Sequence, residues 1–242
     1  MAEGLDANFG LTKSIAYLPN DPPIIVWTKL QARWSKTLDP EYRDELFQPL
    51  VHAVGHNETV WARGQDNPDV VFLVTLWWTT SELREFKASP SAQLYRESLQ
   101  GEGITPLSTH ETIYGSSNWF RGLQYSFMQI FWVYFPAPVD ENLQSAVKEI
   151  VGIRPPALGF GVPQKQRRQT HLPAWQWATR PEVLHGKQVQ LFLWPHFWRT
   201  EEQAEWRHNH YAQPRFIKRV EELGPVEWKE ELYNRFTKIP KL

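Results

Sequence analysis

The chain has 242 residues, 41% of them hydrophobic and 22% charged, with a formal net charge of −1 and no cysteine. That mixture suits a globular protein with a buried core, and it excludes a disordered chain, a disulfide scaffold, a thiolate metal site and a cysteine nucleophile. Lys and Arg are scattered rather than banked, so nucleic acid is not an expected partner, and the densest basic run, Lys165 to Arg168, reads as a solvated loop.

Pro23 to Ala32 is β-branched and alternating behind an Asp21-Pro22-Pro23 breaker, which predicts a first strand. Asp39-Pro40 then offers an N-cap with Pro at N1. Tyr42, Leu46, Phe47, Leu50 and Val54 follow at helical spacing until Gly55. Glu58 to Arg63 and Val70 to Trp78 predict strands paired across the turn Gly64 to Pro68. Thr80, Leu83, Phe86, Pro90 and Leu94 predict a second helix broken near Ser89-Pro90, and Leu107 to Tyr114 a fourth strand.

The pattern then recurs. Strands are expected over Gln124 to Phe135, near Trp175 to Thr179, over Gln188 to Trp194 and over Val226 to Phe236, with helices over about Asp140 to Val151 and Thr200 to Leu223. A Gly/Pro-rich insertion at about 154–173 is long enough to act as a lid or entrance. The expected organisation is an N-terminal extension at 1–20, a first unit at 21–118 and a second at 119–242. Met1 to Leu18 lacks a basic stretch followed by an apolar one, and no apolar run approaches the roughly 18 residues of a membrane span. A cytoplasmic protein without a membrane span is expected.

An internal repeat supports the two halves. At an ungapped offset of 120, Phe72/Phe192, Leu73/Leu193, Trp78/Trp198, Thr80/Thr200, Glu82/Glu202, Glu85/Glu205, Ala92/Ala212 and Gln93/Gln213 are identical, and the same offset sets Glu111 on Glu231. Each half therefore reads as strand, helix, strand, strand, helix, strand.

The strand Val70 to Trp78 running into Thr79 to Phe86 and Ser89-Pro90, with the late strand Ser108 to Tyr114, resembles the dimeric α/β-barrel superfamily. Its ferredoxin-like members include antibiotic-biosynthesis monooxygenases and small polyketide cyclases. The resemblance implies an α+β fold in which two tandem units pack their antiparallel sheets into an intramolecular barrel. It also implies pockets between sheet and helices that often work without metal or organic cofactor, although relatives include haem enzymes and non-enzymatic proteins. Some cyclases of this kind carry histidine beside the proline early in the second helix. The first half has Ser89-Pro90-Ser91-Ala92 there and the second has His208-Asn209-His210-Tyr211, which favours the second pocket.

Trp206, His210, Gln213, Ile217 and Val220 share one helix face, so His210 is expected to point inward where the first copy has Pro90. Phe192, Trp194, His196 and Trp198 share a strand face if the strand continues past Pro195, with Leu76 as the counterpart of His196. His110 and Tyr114 alternate onto one face, with Glu230 and Asn234 as counterparts at the same offset. His52 and His56 lack a third ligand, and no metal, phosphate-loop, dinucleotide or nucleophile-elbow motif occurs.

The expected function is a cofactor-independent cyclase folding an apolar or polyketide-like substrate, as a monomer or homodimer. His210, His196, Tyr211, His110 and Tyr114 would serve acid–base or hydrogen-bond roles. Trp27, Trp78, Trp194, Trp198, Trp206, Phe192, Gln213 and Glu230 would line the pocket. A cofactor-free monooxygenase of an aromatic substrate and a non-catalytic carrier are the alternatives.

Overall fold

The structure, a computed structural model, describes residues 20–32, 45–115, 119–123, 126–150, 152–153, 175–198 and 212–242. The first unit runs β1 (Ile24–Gln31), α1 (Gln48–Val51), β2 (His56–Arg63), β3 (Val70–Trp77), α2 (Thr80–Lys87), α3 (Pro90–Gly101) and β4 (Thr105–Ile113). After α4 (Trp119–Leu123) come β5 (Phe127–Pro136), α5 (Glu141–Glu149), β6 (Gln176–Trp177), β7 (Glu182–Leu184), β8 (Lys187–Trp198), α6 (Ala212–Glu221), β9 (Glu227–Tyr233) and β10 (Thr237–Lys238).

Local chemistry sets the helix starts. The Thr79 hydroxyl accepts the Glu82 N–H, the Ser89 hydroxyl accepts the Ala92 N–H, and the Asp140 carboxylate accepts the Leu143 N–H. Pro90 sits at the start of α3, where its missing N–H costs nothing, so the expected break at Ser89-Pro90 is a clean division into two helices.

The strands form two antiparallel sheets in the orders β10-β2-β3-β1-β4 and β6-β8-β5-β9, with β7 pairing β8 as a hairpin. Without β10 and β7, both carry the ferredoxin-like order. The sheets pack face to face over Ile25, Trp27, Phe72, Val74, Ile130, Trp132, Leu191, Leu193 and Tyr233. A separate core lies between each sheet and its helices, around Phe47, Leu73 and Trp77 in the first unit and Phe131, Phe192, Trp194 and Phe216 in the second. The sheet edges meet twice, at the bridges Gly64↔Tyr233 and Thr112↔Ala178. The Asn234 N–H to Arg63 carbonyl bond (2.9 Å) and the Thr179 N–H to Glu111 carbonyl bond (2.7 Å) flank them. The expected barrel is thus laced at both edges by isolated bridges rather than closed by continuous ladders. Among the described residues no helix is long and apolar enough to cross a membrane.

Three sequence expectations need correction. Phe72 lies in the inter-sheet core and Phe192 in the helix-side core, so the ungapped offset of 120 superposes residues from opposite faces. Side chains on a strand alternate, so the structural repeat requires an odd offset; 121 puts Trp77 on Trp198 and Thr75, not Leu76, on His196. By the same parity, Glu230 and Asn234 are not the counterparts of His110 and Tyr114. β8 continues through Pro195 to Trp198, because β6 pairing ends at Leu193 and among the described residues no strand lies against that edge. Finally, β10 pairs with β2 of the first sheet, which no second-half signal suggested.

Candidate functional site

On β8, Phe192, Trp194, His196 and Trp198 all face the helices of the second unit, as their spacing requires. Phe131 and Phe216 pack edge-on to the His196 ring at centroid distances of 5.6 and 5.3 Å, and Trp198 stacks near it at 6.5 Å. His196 is buried, and its Nε2 accepts the Ile153 N–H at 2.9 Å. The ring proton therefore sits on Nδ1. Burial drives the imidazole pKa down to about 3, opposed by the backbone carbonyls of Trp194 and Gln129, so the ring is neutral at ordinary pH. It can donate a hydrogen bond from Nδ1. It cannot act there as a base.

Gln129 faces His196 directly across the β5–β8 pair. Its amide group donates to Glu230 (2.7 Å) and to the Gln213 carbonyl oxygen (3.1 Å), while the Gln213 amide donates to the other Glu230 oxygen at 2.9 Å. The Glu230 carboxylate is held from two sides by neutral carboxamides from β5 and α6. Trp198 Nε1 and Gln129 Oε1 are buried in this aromatic enclosure without a hydrogen-bond partner, and His196 Nδ1 has no partner in good bonding geometry although the backbone carbonyls of Trp194 and Gln129 lie beside it. Each such atom costs about 1–3 kcal/mol. Two donors beside an oriented carboxylate can hold a carbonyl or phenolate oxygen while a proton next to it is removed, and the one acceptor can take a hydroxyl hydrogen.

The structure brings together Phe192, Trp194, His196, Trp198, Gln213 and Glu230. His210, Tyr211 and Trp206 lie outside the described residues. The other predicted residues are elsewhere. Trp27 is in the inter-sheet core, its indole N–H donating to Thr112 at 2.8 Å. Tyr114 is buried against Trp119 in the same core. His110 lies over Trp132 on the inter-sheet side, with its pKa lowered to about 4 by burial and by Lys29. Trp78 is half-buried just beyond β3 and belongs to none of the three cores. Gln129 was missed, although a glutamine inside Phe127-Met-Gln-Ile-Phe-Trp132 is the one polar break in an apolar strand.

No family model and no curated protein matches the chain. Solved structures do. An anthrone oxidase-like protein superposes with a TM-score of 0.52 at 13% identity, covering 92% of this chain and 96% of its own. A candidate monooxygenase from Fusobacterium nucleatum superposes with a TM-score of 0.51 at 9% identity, covering 90% and 94%. A candidate chlorite dismutase superposes with a TM-score of 0.51 at 8% identity, covering 90% and 96%. This is a tandem ferredoxin-like fold. At such identities the likeness carries the fold and no activity.

Relatives with this fold include haem enzymes, and an axial haem ligand needs a free imidazole lone pair. His196 spends its lone pair on the Ile153 N–H, so the described residues of this enclosure do not fit a haem iron. Among the described residues no group of three or more His, Asp or Glu is arranged to hold a metal ion.

Proposed function

We propose that the protein is a small-molecule enzyme that converts a flat, polyketide-like substrate to an enolate or phenolate among the helix-side aromatic residues of its second unit, without a cofactor. The observation that carries this reading is the set of unpartnered buried polar atoms on His196, Trp198 and Gln129 beside Glu230. Glu230 takes the proton from an acidic C–H or O–H. His196 Nδ1–H and Trp198 Nε1–H donate to the oxygen on which negative charge develops, and the aromatic walls match a planar ring system. In a cyclisation, the enolate carbon bonds to an internal carbonyl carbon, whose oxygen takes up the proton.

A second fate is supported by the descriptions of two structural neighbours, an anthrone oxidase-like protein and a candidate monooxygenase. Here the carbanion reacts with O2, one oxygen atom becomes the new carbonyl and the other leaves as water with the two hydrogens of the original CH2.

The test is incubation of the full chain with anthrone, and separately with a linear poly-β-ketone, following dissolved oxygen and product mass. Turnover of either substrate should fall by about 10²–10⁴-fold in Glu230→Gln. His196→Phe should lose a smaller factor, since it removes one donor. Oxygen uptake with a quinone product selects oxygenation, and a dehydrated cyclic product without uptake selects cyclisation. Binding of these molecules without turnover would overturn the enzymatic reading in favour of a carrier.

A further inference from the structure

At the other end of β8 from His196, an open groove of about 510 Å³ lies between the turn after β5, α5, and strands β6 and β8. Gln190 and His196 are six residues apart, about 20 Å along the strand, and the buried rings of Phe192 and Trp194 fill the interval. The groove is therefore separate from the site proposed above.

Among the described residues its lining contains no charged side chain. Three carboxamides (Gln144, Gln188 and Gln190), the Thr179 hydroxyl and the Trp177 indole face it beside Pro138 and Pro181. Trp177 packs its inner side on Phe192 and Phe135, at centroid distances of 4.7 and 5.6 Å, and lies half-buried along the groove. Its indole N–H is buried with no hydrogen-bond partner. Gln190 donates its amide hydrogen to the Ala178 carbonyl, which fixes the carboxamide orientation while its carbonyl oxygen can still accept.

A charged ligand would find no counter-charge among the described residues of this lining. A purely apolar one would leave carboxamides and hydroxyl unmatched. Carboxamides donate and accept at once, as sugar hydroxyls do, and an indole offers the apolar surface that the C–H face of a pyranose ring needs. We infer that this groove is a second binding site, for an uncharged polyhydroxylated ring: a sugar or the glycosyl part of a larger molecule. The volume falls within the range of small-molecule sites, about 300–1,000 Å³.

The experiment is calorimetric titration of the full chain with maltose and with cellobiose, using glucuronate as the charged counterpart. Saturable binding of at least one disaccharide is expected, weakened about tenfold by Gln188→Ala and by Gln144→Ala, which is the loss of one good hydrogen bond. Gln188 is exposed, so that variant keeps the fold even if Trp177→Ala does not. Binding should survive Glu230→Gln, which separates this site from the one under the helices. Absence of saturable binding for both disaccharides, equal binding of glucuronate, or binding unmoved by both glutamine changes would overturn the proposal.

Discussion

Gly152 lies against the edge of the His196 ring, one residue before the N–H that bonds it. A Cβ there would lie 2.7 Å from His196 Nε2 and 3.2 Å from Trp194 Nε1, and the imidazole cannot swing away because Phe131 and Phe216 hold it edge-on. Only glycine lets the Ile153 N–H reach Nε2 and fix the tautomer. Gly152→Ala should therefore cost about 1–3 kcal/mol in urea unfolding. It should also change the His196 ring-nitrogen pattern in 15N NMR from the Nδ1-protonated form. An unchanged tautomer would show that the backbone contact does not control the ring.

Two buried imidazoles also give the protein a pH signature. His56 and His196 are both pushed from 6.5 to about 3 by burial, and His56 Nε2 lies 2.8 Å from the Thr59 hydroxyl in the helix-side core of the first unit. The folded pKa values are depressed, so between pH 6.5 and 3 the unfolded chain binds more protons than the native one. The stability that rests on these neutral rings is whole above pH 6.5 and falls as pH drops through that window, by about 1.4 kcal/mol per pH unit for each ring at the steepest. Urea midpoints at pH 7 and pH 5 should show the loss, and His56→Gln should reduce it. A flat profile over that interval would mean that both rings protonate in the native state.

At the scale of elements, β10 is the strand that ties the end of the chain to the first unit. Thr237 and Lys238 pair with Trp61 and Val60, the Ile239 N–H donates to the Thr59 carbonyl at 3.0 Å, and Ile239 is buried in the first helix-side core. Ile239→Ala should cost about 2–4 kcal/mol by denaturant unfolding, as a core truncation does. A value below about 0.5 kcal/mol would show the tail to be surface dressing. Two residues carry too little periodicity to announce a strand, which is why β10 was illegible in the sequence. By contrast β1, β3, β5 and the break at Ser89-Pro90 were legible, because alternation and proline each act locally. The repeat was legible as a repeat but not in register: identities reward matching residue types, whereas the fold enforces matching faces, and one residue of shift reverses every side chain on a strand. The shared face of Phe192, Trp194, His196 and Trp198 was readable because it depends on strand parity within one element. The Gln129–Gln213–Glu230 network was not, since it joins β5, α6 and β9, which the sequence separates by 84 and 101 residues.

At the scale of the molecule, the two units share one inter-sheet core, pinned at a polar point. Lys29 of β1 bonds Glu231 of β9 at 2.6 Å and lies 3.8 Å from the Trp132 ring centroid, while the Tyr233 hydroxyl donates to the other Glu231 oxygen at 2.7 Å. Glu231→Ala would strand the Lys29 ammonium, whose side chain is only 15% exposed. The cost should be about 2–3 kcal/mol, less than for a fully buried pair because the Glu231 side chain is 31% exposed. Lys29→Met with Glu231→Leu should recover most of it, and calorimetry should show one unfolding transition in every variant. Two resolved transitions in the unaltered protein would contradict a shared core.

A crystal structure of the protein soaked with anthrone tests the proposed chemistry most directly. The ring system should lie against Trp194 and Trp198, with its oxygen within about 3.2 Å of His196 Nδ1 and its reactive carbon facing Glu230. Anthrone bound elsewhere, with His196 Nδ1 satisfied by a protein group and no space beside Glu230, would contradict that chemistry.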